Sequence, residues 1–554
     1  METTNYWQTI TAKRFSRRKA LTAGAAGLGA AALGLAGCGG GGGKEEVSQG
    51  VTPAATLTPV AGGALVRGVG TDPGSLDVEE TVTGYFVGAN FFDYLHGITF
   101  RDQKLVPLAA EKVEQPDNLT TIWTLRPGIK FHNIEPTNGR EVVAADVTYS
   151  FDRLKADPAS QWSKILLKEY TASYGDTDRY TFKLVTNRPM SPILDQTTYS
   201  CFAIQPHEAV EKWGSLAQNP VGSGPYMLDE FVRGERVKAR KNPEYWRSGL
   251  PYLYSVEWRV VTDNNALLQN FKSGRHDVCG VLIDKMARPE MESTSGVKLG
   301  ETKNLYSAAV IAKVDEPPFN DERVMQALDY AIDRQDLIDK LNFGEGLLAG
   351  PIVGDMEYWA LPQDELRDFY KVDIEKAKQL LSAAGYPNGL EFDFTVESII
   401  TLPKVAVVLQ SHLEKIGVKA NIVLKELGVY LAQHLYARQF KLTMYLNLAW
   451  SEPDTPLLNW FSKGPPGFSF TGYNNPEMDD WIWKERSEFD PEKRRQIVLD
   501  AQRAMIRQHG PQYPLTTQVF RYAYRDYVHF GPPEFWGMGG AANQDLKTWV
   551  SPRT

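Results

Sequence analysis

A mixed α/β fold of two or three domains is predicted for this chain, and three observations predict it. The 554 residues are 42% hydrophobic and 23% charged, as in an ordinary globular protein. That length exceeds the roughly 250–300 residues at which a single core stops growing. Short alternating runs interleave with helical stripes along the chain, and no period of 20–50 residues repeats.

The first 61 residues are of a different composition. Lys13, Arg14, Arg17, Arg18 and Lys19 precede the uncharged, proline-free run Ala20 to Gly37, which is rich in alanine and glycine. A basic flank, a weakly apolar run and a small-residue end predict a cleaved export signal over 1–37. Ser16 to Leu21 resembles the twin-arginine signal, with Ala20 where phenylalanine is usual, general secretion being the alternative. Leu35-Ala36-Gly37-Cys38 resembles a bacterial lipobox, which implies a lipid-bearing Cys38. Two acyl chains hold a protein stably at a bilayer. Residues 38–61, from the glycine run through Lys44, Glu45, Ser48, Pro53 and Pro59, lack hydrophobic periodicity and read as a flexible tether. Glu45 follows Lys44 where a phosphate-binding loop needs Ser or Thr, so no nucleotide site is expected there.

Further elements follow in order. Val147, Ser150, Phe151 and Leu154 share one side of a helix from about Ala145 to Leu154. Val256 to Val261 alternates as a strand should. A helix begins near Asn320, whose side chain can cap it, with Val324, Ala327, Leu328, Ala331 and Ile332 as its stripe. Asp373 caps a helix through Ala384, stopped by Gly385.

The formal charge is -8. Five Lys/Arg and one acid precede Cys38, so the remainder has 55 basic against 67 acidic residues, which argues against a nucleic-acid partner. Cys201 and Cys279 then remain, as one disulfide or two buried thiols. No metalloprotease His-x-x-x-His pairing follows His207-Glu208, no Gly-x-Ser-x-Gly elbow occurs, and no Cys/His cluster marks a metal site. Neither an enzyme nor a cofactor is expected.

Nine patterns occur in order: Asp72-Pro73-Gly74-Ser75-Leu76-Asp77, Pro107 to Glu111, Trp123 to His132, Ala144 to Phe151, Asn219 to Tyr226, Lys241 to Trp246, Ser273 to Val278, Pro317 to Val324, and Ala331 to Arg334. Together they resemble the family 5 extracellular solute-binding proteins, the peptide- and nickel-binding components of ABC importers. Physically most are structural, with Gly222 and Gly224 expected to adopt backbone conformations that a side chain forbids.

The resemblance implies a bilobed periplasmic-binding-protein type II fold with an inserted domain. Lobe I would comprise 62–89, 198–303 and 512–554, the inserted domain 90–197, and lobe II 304–511. A solute, oligopeptide-like by family or else an oligosaccharide or metal chelate, would bind between the lobes and pass to a permease with its ATPase subunits. A receptor reporting to a sensor would use the same fold. Glu80, Thr83, Tyr85 and Phe86 fall where family members approach the solute, and Tyr306 near the lobe crossing. Peptide-binding relatives carry an aspartate where this chain has Ala449, or Trp450 if aligned from Phe440. Glu452 or Asp454 is expected to substitute for it. Tyr445, Asn447 and Trp450 would add an aromatic and amide surface, or the two rings fill the lobe core.

Overall fold

The computed structural model describes residues 58–552, apart from 80–83, 100–103, 158–162, 281–282, 284, 286, 303–305, 355, 399–401, 427–428, 449–451, 463–469 and 532–544. The export signal, Cys38 and most of the tether lie outside the described residues. No helix among the described residues is long and apolar enough to cross a membrane.

The chain opens with β1 (Ala64–Val69) and leaves at once for a smaller unit. There β2 (His96–Ile98) pairs with β3 (Leu105–Pro107). A four-stranded sheet follows, of β4 (Ala110–Glu114), β5 (Thr120–Leu125), β6 (Thr171–Asp178) and β7 (Thr181–Thr186), in the order β4-β5-β7-β6. The helix Ala144–Ala156 covers it, burying Val147, Ser150, Phe151 and Leu154 as the stripe predicts. Asp146 starts that helix by accepting the Val143 N–H at 2.9 Å, and Arg140 holds its carboxylate.

The first sheet then resumes with β8 (Tyr226–Val232), β9 (Arg236–Lys241), β10 (Ser255–Val260), β11 (Val278–Cys279) and β12 (Val297–Thr302). Val256 and Trp258 of β10 are buried and their neighbours less so, which is the alternation expected of a strand with one core face. The second sheet is built from β13 (Tyr306–Ala312), β14 (Gly346–Leu348), β15 (Leu390–Glu397), β16 (Val418–Lys425), β17 (Leu442–Leu448) and β18 (Gln512–Gln518). β19 (Phe520–Arg525) returns to the first sheet between β12 and β11, and β20 (Val528–His529) pairs with β21 (Trp549–Val550). The sheets run β12-β19-β11-β1-β10-β9-β8 and β14-β18-β13-β17-β15-β16. Gln512–Gln518, placed in lobe I by the sequence boundaries, is therefore a strand of the second sheet, and the return crossing falls between 518 and 520.

Local signals account for the helix ends. Asp373 accepts the Lys376 N–H at 2.9 Å, and Gly385 follows the helix Ile374–Ala383 at φ +93. The helix Glu322–Ala331 is capped by Asp321, which accepts the Arg323 N–H at 2.9 Å, and not by Asn320. Gly222 and Gly224 have no positive φ. A Cβ on Gly222 would come within 2.2 Å of the Phe91 carbonyl oxygen, and one on Gly224 within 2.4 Å of its carbonyl carbon. Close approach to a neighbouring backbone, not a special backbone conformation, requires glycine there. Cys201 and Cys279 are both buried and neither forms a disulfide.

One core runs from the smaller unit into the helices behind the second sheet. Trp123, Phe151 and Phe182 lie in the same apolar cluster as Trp359, Leu457, Trp460 and Ile482. A second cluster lies under Val310, Phe394 and Met444, and a third under Leu65, Val256 and Trp258.

Candidate functional site

The carboxyl ends of parallel strands form one edge in each sheet. β1 runs parallel to β10 and β11, with Val69 beside Val260 and Gly68 beside Cys279. β15 runs parallel to both β16 and β17. Open α/β sheets bind solutes beyond such edges. The chain crosses between the sheets twice within a few residues, from Thr302 to Tyr306 and from Gln518 to Phe520. At the crossing Arg521, 7% exposed, binds Glu301 of β12 at 2.8 Å and Glu345, which precedes β14.

Glu80 and Thr83, in the segment after β1, lie outside the described residues. Tyr85 and Phe86 begin the short turn Tyr85–Gly88. Their rings meet edge to face, 6.2 Å apart at 88°. Phe86 rests on the first sheet's core, and burial raises the Tyr85 hydroxyl pKa. Tyr306 opens β13 opposite Leu448, so it stands at the crossing. Tyr445 and Asn447 are near the carboxyl end of β17, on one face of the strand by alternation. Trp450 and Ala449 lie outside the described residues.

Glu452 and Asp454 are placed differently from the sequence expectation. Both are fully buried. The Glu452 carboxylate accepts from the Thr455 N–H at 3.0 Å, the Thr455 hydroxyl at 2.6 Å and the Tyr199 hydroxyl at 3.1 Å, with Arg494 at 3.7 Å. Asp454 takes a two-pronged bond from Arg486, with Nη2 to Oδ2 at 3.2 Å, and a further one from Gln196 at 2.9 Å. Arg486 also donates to the Tyr170 hydroxyl at 3.1 Å, and the Ser191 N–H reaches the Arg486 carbonyl at 2.7 Å. These carboxylates thus tie the smaller unit to the second lobe and are not free to read a solute. Sequence reasoning identified their charge but not the guanidinium groups that meet it, which come from residues 486 and 494.

The acids of this cluster outnumber its bases. Asp195, Glu452, Asp454 and Glu485 face Arg486 and Arg494, and Glu485 binds Arg494 at 2.9 Å. Burial, and then the charge of Glu452, push the Asp195 carboxyl well above the ordinary range.

The buried histidines hold structure. His96 joins the Leu194 carbonyl at 2.7 Å and accepts the Trp123 indole N–H at 3.0 Å, while His132 meets the Gly224 carbonyl at 3.1 Å. Burial lowers both to about 4, so they are neutral near pH 7. Among the described residues no group of three or more His, Cys, Asp or Glu could hold a metal ion. A groove of about 430 Å³ on the outer face of the first sheet is lined by Arg236, Lys238, Glu257 and Arg259. Arg236 and Lys238 pair with Glu230 and Arg259 with Glu257, while Arg275 donates to the Asn270 side chain at 3.3 Å, so it is largely a solvated ion-pair face.

Two sheets with parallel-strand edges, joined by two short crossings and carrying an inserted unit, define a type II binding-protein fold. Residues 104–469 match the bacterial extracellular solute-binding proteins, family 5 middle, and the chain belongs to that family. Its members are extracellular solute-binding proteins. The chain is 28% identical over 449 residues to the glutathione-binding protein GsiB of Escherichia coli K12, covering 78% of this chain and 84% of that one. Solved structures share its fold. The periplasmic binding protein DppA of Helicobacter pylori, in complex with the peptide STSA, superposes with a TM-score of 0.77 at 23% identity, covering 89% of this chain and 98% of that one. AgaA of A. tumefaciens R10, in complex with agropinic acid, gives 0.75 at 24%, covering 89% and 99%. NikZ of Campylobacter jejuni, in complex with Ni(L-His), gives 0.69 at 21%, covering 84% and 94%.

Proposed function

We propose that this chain captures a peptide-like solute between its two lobes and hands it to a membrane permease while tethered to the membrane through lipid on Cys38. The observation that carries the reading is the pair of carboxyl-end edges joined by two short crossings, with Tyr85 and Phe86 in the turn that follows β1 and positions 445 and 447 near the carboxyl end of β17. A solute touching both lobes binds the closed form better and shifts the population toward it. The peptide preference is supported by the glutathione-binding relative and by the peptide complex of the DppA structure. Export by the twin-arginine route and lipidation rest on Ser16 to Leu21 and on Leu35 to Cys38.

Glutathione, Ser-Thr-Ser-Ala and Met-Leu are expected to raise the melting temperature of the full-length protein and to reduce its radius of gyration. Cellobiose and nickel–histidine are expected to do neither. Stabilisation by cellobiose or the nickel chelate alone would replace the peptide reading. Cys38→Ser is expected to move the protein from the membrane fraction to the soluble one, and retention at the membrane would remove the lipid anchor.

A further inference from the structure

The face of the second sheet turned away from its main core carries a buried hydroxyl that the protein leaves unsatisfied and a carboxylate with no cation. β13, β17 and β15 lie side by side. Alternation sends Val310, Met444, Phe394 and Val396 into the core. Ser307, Thr443, Thr395 and Glu397 consequently share the opposite face, together with positions 445 and 447. Ser307 pairs with position 447. Thr395 pairs with Thr443, which sets Glu397 beside position 445. Ser307, Glu397 and positions 445 and 447 stand toward the carboxyl-end edge, while Thr443 lies farther back, bonded to the Thr395 carbonyl and the Tyr430 hydroxyl.

Ser307 is fully buried and its hydroxyl has no hydrogen-bond partner. Glu397 is 6% exposed. Among the described residues its carboxylate makes no hydrogen bond or ion pair, even though Lys425 is its ladder partner on β16. Burial, and then the like charge of Glu426, raise its carboxyl to about 7. A buried carboxylate without a cation is costly, and such groups concentrate at functional sites.

We propose that Glu397 is the charge-reading residue of the solute site, pairing with an ammonium group of the cargo while Ser307 bonds a second polar atom of the same molecule. This rests on the reading that the solute lies against residues 445–450. The chain has no acid at 449 or 450, and Glu397 supplies that charge from the neighbouring strand. Strands are spaced at about 4.8 Å and the two positions, with β17 between them, are offset by two residues along it, so Ser307 and Glu397 are about 12 Å apart. That distance is the reach of about three to four extended residues.

The test is titration calorimetry of the full-length protein with Met-Leu, Ser-Thr-Ser-Ala and agmatine, each beside its N-acylated form, and with cellobiose. At least one free amine should bind about tenfold or more tightly than its acylated copy, as a charged hydrogen bond implies. Glu397→Gln should bring the two within about twofold, whereas Glu426→Gln should keep the preference. Glu397→Gln should fold, because a buried amide costs less than a buried carboxylate, and its thermal unfolding checks this. A preference that survives Glu397→Gln, or equal binding of both forms by the unaltered protein, would overturn the proposal. Binding of cellobiose alone would overturn it while leaving solute capture intact, and binding of none of these probes would overturn both.

Discussion

Replacing Arg486 with methionine should lower the free energy of unfolding by about 3–5 kcal/mol, because it leaves a buried carboxylate without its counter-charge. Arg486 and Asp454 are both fully buried. The guanidinium is also enclosed by aromatic rings, with Tyr170, Phe461 and Trp483 centred 5.1, 5.0 and 5.1 Å from it. Methionine fills much of that space, so the loss reports chiefly on charge. Asp454 would keep only the Gln196 amide. Asp454→Leu introduced beside Arg486→Met should recover most of the loss, since removing both partners of a buried pair is far less costly than removing one. Urea unfolding at pH 7 measures all three variants. A single-variant cost below about 1 kcal/mol, the range of an exposed pair, would show that water reaches the site.

That ion pair also marks where the sequence stops being informative. Asp373 and Gly385 could be read directly, because a cap and a left-handed stop act on residues within one turn. The sequence places the helix start one residue early, at Asn320 instead of Asp321, because adjacent side chains of both types can cap and the register of one turn decides which does. Gln512–Gln518 is a strand by composition, but which sheet it joins depends on pairing with Ser307 to Ile311, some 200 residues earlier in the chain. Glu452 and Asp454 were legible as charges following a gap in the family pattern, yet their partners come from a later helix and from the inserted unit. Glu397 was missed although a signal existed. Phe392, Phe394 and Val396 mark one face of β15, and an acid ending the other face beside position 445 could have been read from the alternation once that pairing was known.

The second large effect is expected at Asp195, and it depends on pH. Its carboxyl oxygens are buried with no hydrogen-bond partner. The charged groups that act on it are Glu452 and, opposing it, Arg494, with the Tyr199 hydroxyl alongside; Glu452 and Arg494 in turn meet Asp454 and Glu485. In the unfolded chain an aspartate releases its proton near pH 4, whereas in the folded protein Asp195 retains it well above that. Below about pH 4 both states are protonated and the group does not oppose folding. As pH rises beyond that point the unfolded state ionises while the folded state does not, so stability falls with a slope of up to about 1.4 kcal/mol per pH unit. Asp195→Asn removes that proton difference. The variant should therefore match the unaltered protein near pH 4.5 and exceed it increasingly toward pH 8 in urea unfolding. His96 and His132, lowered to about 4 by burial, act with the opposite sign and cost stability as pH falls below about 6.5. They are present in both proteins, so they shape each profile but cancel in the difference between them. A difference that stays constant from pH 4.5 to pH 8 would mean that Asp195 ionises freely in the folded state, which requires water or a cation at the junction of the inserted unit and the second lobe.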